Sequence, residues 1–119
     1  MTERPAPGAI DIRFLGQEDV VAAGGLDMDA CMETIRKALV LHHRGDTIAP
    51  PKATIHWSEG IAGDELRGRI MAMPAYVGGD VHMAGLKWIP SVPSNASRGL
   101  PRGIGLILLS NPDTGVPVA

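Results

Sequence analysis

Glycine and proline set the limits on what this chain can fold into. Its 119 residues include 15 glycines and 10 prolines, which cut the apolar positions into short pieces. Glycine weakens regular elements, and proline removes a backbone donor. Only one stretch, from Asp27 to about His43, runs long enough without them for a substantial helix. Asp27 suits the N-cap, Ala30, Cys31, Thr34, Ile35, Ala38, Leu39 and His42 recur at three- and four-residue spacing, and Gly45 ends the pattern. Arg36, Lys37 and Arg44 add positive charge toward its C-terminal end, where the helix dipole favours it.

The remaining elements are short. Ile10, Ile12 and Phe14 alternate with Asp11 and Arg13 and predict a half-buried strand, and QEDVVAAGG predicts one or two helical turns stopped by Gly24 and Gly25. Further strands are expected at Ala53 to Trp57, Arg69 to Ala75, Val81 to Ile89 and Ile104 to Leu109, with EGIAGDE and VGGD as turns between them. Pro90, Pro93 and Pro101 are expected to forbid regular pairing in the long connection. NPDTG reads as a type I turn with Pro112 at its second position, and the closing VPVA looks too short to form a stable strand. The pattern predicts an α+β fold, an antiparallel or mixed sheet meander with one main packed helix, over residues 10–119, preceded by a loose tail at 1–9.

A chain of this length can bury roughly two thirds of its unfolded surface, so a real core is expected. With four aromatic residues that core must be aliphatic and methionine-rich. The net charge of -2 gives no footprint for nucleic acid. No apolar run approaches the roughly 20 residues that cross a bilayer, and MTERPAPGA lacks a signal peptide's apolar centre, so a cytoplasmic location is expected. The single cysteine, Cys31, reads as a small buried side chain on the helix. No metal site is expected: His42 and His43 point to different helix faces, and His56 and His82 stand alone in strand patterns. No residue pattern supports a nucleophile, and no catalytic residue is assigned.

The candidate chemistry lies in cations. Lys87 interrupts the apolar MAGLKWI, beside the small Ala84 and Gly85. A charge in such a strand is costly unless it meets an anion. Two readings are open: the stem lies along the sheet and the ammonium reaches solvent, or the ammonium holds the carboxylate of an amino-acid-like substrate. Lys52 follows Pro50 and Pro51, so it projects from a stiff, extended backbone, either as an ordinary surface lysine or as a second prong of an anion site. Arg67 and Arg69 flank Gly68 and alternate onto one face, where an exposed sheet edge accounts for at least one of them. RGLPRGIG combines Arg98 and Arg102 with three glycines, which suits close approach to a phosphate or ribose, yet it precedes a strand and is no dinucleotide fingerprint.

The order of a short strand, an EDV turn, a helix ending in HHRGD, then PPK, RIMAMPAYVGG, AGLKWI, GLPRGIGLILL and DTGVPVA resembles the N-terminal domain of the ornithine cyclodeaminase/mu-crystallin family. The resemblance implies a sheet domain that binds substrate and builds a homodimer, with a separate Rossmann domain for NAD or NADP that this sequence lacks. It implies oxidation or cyclodeamination at the α-carbon of an amino acid through an imine. By resemblance Lys87 binds the substrate carboxylate, and Lys52 takes a position where many members carry arginine for the same task. Lysine lacks arginine's bidentate fork, which weighs against ornithine or lysine as substrate. Arg102 takes a position that reaches toward the nucleotide.

AGG, Lys52, AMPAYVGG and GLPR are most similar to the branch that oxidises N-(2-amino-2-carboxyethyl)-glutamate in making 2,3-diaminopropionate for siderophores. A fragment of an ornithine cyclodeaminase or ketimine reductase, or a non-catalytic dimerising module that binds a small ligand, is the alternative. Either way the chain alone is expected to lack hydride transfer and to bind no dinucleotide stably.

Overall fold

A computed structural model describes residues 8–58 and 66–119. The elements are α1 (Gln17–Ala22), α2 (Met28–His43), β1 (Thr47–Ile48), β2 (Ala53–Ser58), β3 (Leu66–Val77), β4 (Met83–Ser91), a 3-10 helix (Pro93–Arg98) and β5 (Leu106–Ser110). They give an α+β fold whose sheet runs β1-β3-β4-β5, with β2 also on β3. Both β1 and β2 pair antiparallel with β3 and take successive lengths of it, Ile48 opposite Tyr76 and Ala53 opposite Ala72. The chain divides into two compact units.

The first unit comprises residues up to Ile48, Tyr76–Ala84 and Leu109–Ala119. Its helix α2 starts where the sequence predicts, with the Asp27 carboxylate accepting a hydrogen bond from the Ala30 N–H at 3.1 Å. It stops on Gly45 at φ +80, where the Gly45 and Asp46 amides donate to His42 and Leu41 carbonyls, a Schellman closure. Of the predicted face only Cys31 and Ala38 are half-buried, and the rest is exposed. Leu41 is the one buried apolar side chain among the described residues, 7% exposed, while Ile35 and Leu39 are 60% and 62% exposed. Periodicity found the helix, and the tertiary neighbours chose Leu41, which meets Gly79 in the turn before β4. Among the described residues the expected large core is therefore not present.

Residues 10–14 form no strand, contrary to their alternation. Ile10, Ile12 and Phe14 are all exposed, and among the described residues Arg13 makes the one backbone link, donating to the Val118 carbonyl at 3.1 Å. A strand needs a ladder partner along its length, and one bond does not supply it. The closing residues are better satisfied than their length suggests. Asn111 donates to the Val116 carbonyl, Val118 donates to Leu109, and Ser110 bridges Pro117, so the chain returns upon the end of β5. The Asn111 side chain organises that return by accepting from the amides of Asp113 and Thr114.

The second unit comprises Ala49–Ala75 and Gly85–Leu108. The predicted turn EGIAGDE lies wholly outside the described residues, as does most of the predicted tail. Strand β4 runs through Pro90 to Ser91, so this proline does not end it as expected. Beyond it, Pro93 opens the 3-10 helix, Gly99 closes it at φ +69, and the Asn95 side chain donates to the Pro101 carbonyl at 3.0 Å. Those bonds fold the long connection into a closed loop that delivers Arg102 to the end of β4.

Candidate functional site

Lys87 lies in β4 as predicted, and its side chain is exposed. The burial cost that singled it out in the sequence is thus not incurred. Lys52 sits just before β2 and is also exposed. Among the described residues neither lysine makes a hydrogen bond or ion pair, and no contact brings the two together.

Arg102 is placed more firmly. Its carbonyl accepts from the Val92 amide at 2.9 Å, Gly103 bridges Ser91, and its Nε donates to Ser91 Oγ at 3.3 Å. Alternation along β4 puts Lys87 and Ser91, four residues apart, on the same face, about 13 Å apart along the strand. The bond to Ser91 therefore brings the Arg102 guanidinium toward the face that carries Lys87. Among the described residues only Nε is engaged, and the two terminal nitrogens make no hydrogen bond. A surface depression lined by Gly16, Gln17, Glu18, Asp19, Val21 and Ala22 includes none of these cations.

Two further arrangements were not legible in the sequence. Trp57 in β2 stands opposite Gly68 in β3, and its indole covers the glycine. His82, read as solitary in a strand, lies in the turn before β4 and joins Tyr76 to Asp113, with 3.0 Å to each. Its partners are 6 and 31 residues away, and no motif spacing announces them.

An α+β sheet carrying exposed cations does not by itself define a function; sequence comparison is more specific. Residues 13–119 match the ornithine cyclodeaminase/mu-crystallin family, and the chain belongs to it. It is similar to N-((2S)-2-amino-2-carboxyethyl)-L-glutamate dehydrogenase of Staphylococcus aureus, 31% identical over 110 residues, which cover 92% of this chain and 32% of that protein. Among solved structures it resembles an archaeal alanine dehydrogenase dimer with bound NAD, at TM-score 0.64 and 36% identity over 77% of this chain and 25% of that one. It also resembles the Thermococcus litoralis Δ1-pyrroline-2-carboxylate reductase in complex with NADH and L-proline, at TM-score 0.63 and 29% identity over 73% of this chain and 25% of that one. The chain spans about a third of the length of the Staphylococcus relative.

Proposed function

We propose that residues 10–119 are the substrate-binding and dimerising part of an NAD(P)-dependent amino-acid oxidoreductase that acts at the α-carbon through an imine. The substrate in this reading is N-(2-amino-2-carboxyethyl)-glutamate, whose oxidation leads to 2,3-diaminopropionate. The single observation that carries the site is the unpaired Lys87 on the β4 face to which Ser91 draws Arg102. The match to the Staphylococcus dehydrogenase over 92% of this chain supports the choice of substrate.

In this reading Lys87 and Lys52 hold the substrate carboxylate and so fix the neighbouring α-carbon for hydride transfer. Exposed ammonium groups without a protein partner among the described residues are open to charge-assisted hydrogen bonds with a ligand bearing several carboxylates. The free terminal nitrogens of Arg102 meet a dinucleotide phosphate. Among the described residues no glycine-rich turn leads from a strand into a helix to cradle a dinucleotide, so in this reading Arg102 is an accessory contact to the cofactor. Bound NAD(P) would supply the hydride acceptor.

Dimerisation is supported by the archaeal alanine dehydrogenase relative, whose solved structure is a dimer.

The test is ligand selectivity of the 119-residue chain, read by amide chemical shifts. N-(2-amino-2-carboxyethyl)-glutamate should perturb β4 and the 102–103 segment at lower concentration than alanine or ornithine. A preference for ornithine would overturn the substrate assignment.

A further inference from the structure

The first unit holds a side-chain network that the cation site does not use. Tyr76 Oη lies 3.0 Å from His82 Nδ1, and Asp113 Oδ1 lies 3.0 Å from His82 Nε2. An ionised carboxylate only accepts, so Nε2 carries a proton toward Asp113. In the neutral ring Nδ1 is then the acceptor, and the Tyr76 hydroxyl donates to it. The two rings stand edge to face, 5.9 Å between centroids at 89°.

The backbone at His82 gives a second, independent observation. Its φ of +41 lies in the left-handed region, and every other positive φ among the described residues belongs to glycine. Glycine would occupy this position without steric cost. A histidine persists in such a conformation when surrounding bonds over-determine it, and here both ring nitrogens are engaged by other segments.

The turn that carries His82 is itself anchored. Lys37 of α2 pairs with Asp80, the Gly78 amide donates to the Asp46 carbonyl at 2.7 Å, and Leu41 packs on Gly79. The return of residues 111–119 is held by its own turn, by the end of β5 and by the single bond to Arg13. Among the described residues, His82 to Asp113 is the side-chain link between these two bodies of structure.

We propose that His82 is a conformational latch: it fastens the 111–119 return to the turn before β4, so that release of the ring loosens both. The Nε2–H tautomer is the closed form, and the Tyr76 hydroxyl selects it by donating to Nδ1.

Amide hydrogen exchange of the 119-residue chain tests the latch. His82→Gly, which suits the left-handed backbone, and Asp113→Ala should each speed exchange at Gly115 and Val118 by about fivefold to tenfold, with α2 unchanged. The double variant should exchange no faster than either single one. His82→Asn, which tolerates the backbone but is too short for both partners, should match His82→Gly. Nitrogen shifts of the ring should show a protonated Nε2 and a bare Nδ1. Unchanged exchange in the single variants, additive effects in the double variant, or a protonated Nδ1 with bare Nε2 would overturn it.

Discussion

The indole of Trp57 lies across Gly68 of the neighbouring strand so closely that a Cβ built on the glycine would stand 2.3 Å from Cζ2 of the ring. The two residues are register partners in the β2–β3 pair, so the ring covers the gap its own partner leaves. Gly68→Ala should therefore lower stability by about 1–3 kcal/mol through overpacking. Thermal unfolding checks it. Trp57→Ala should remove the clash, so the double variant should be more stable than the sum of the single losses predicts.

Leu41 is the buried apolar side chain of the first unit, and its Cδ2 would come within 2.7 Å of a Cβ at Gly79. Leu41→Ala should cost about 2 kcal/mol, near the lower end for core leucines. Gly79→Ala meets both that contact and a backbone φ of +59. Its loss should exceed about 1 kcal/mol, the scale for alanine forced into a positive φ. Urea midpoints of the two variants give the comparison, with an unchanged midpoint for Gly79→Ala counting against the packing described.

What the sequence disclosed follows from which interactions are local. The Asp27 cap, the Gly45 stop, the α2 length and four of the β segments rest on neighbours within a few residues, and the structure has them. The 10–14 strand failed because alternation specifies a face but not a partner. Pro90 failed as a terminator because β4 carries on to Ser91 and the loop folds back there, with Gly103 bridging Ser91. Lys87 and Arg102 were legible as cations, whereas the Ser91 bond to Arg102 depends on how the 92–103 loop closes. His82 was hidden for the same reason, since its partners arrive through tertiary folding.

Asp80 ties its turn to α2 through Lys37, at 2.5 Å. The hydrogen bond from Lys37 holds the Asp80 carboxyl below its ordinary value. A carboxylate whose folded pKa is depressed stabilises the fold above the unfolded value and loses that contribution as pH falls through the folded one. Lys37→Ala should return the Asp80 midpoint to the ordinary carboxylate range in a carboxyl-carbon NMR titration. High salt should move it the same way in the unsubstituted chain, because the pair is exposed. A midpoint indifferent to both would remove this tie.

The proposed dimer predicts self-association of the chain. Sedimentation equilibrium should find a dimer at micromolar concentration, with amide protection gained over the sheet. A monomer throughout the concentration range, with Ile55, Leu106 and Ile107 still freely accessible, would remove the dimer from the proposal.

The most direct measurement is calorimetric titration of N-(2-amino-2-carboxyethyl)-glutamate into the 119-residue chain and into its Lys87→Ala and Lys87→Arg variants. The account predicts saturable binding, weakened about 10- to 100-fold by alanine as expected for one charged hydrogen bond, and partly restored by arginine. Equal affinity with and without the Lys87 ammonium, or no binding by the unsubstituted chain, would contradict it.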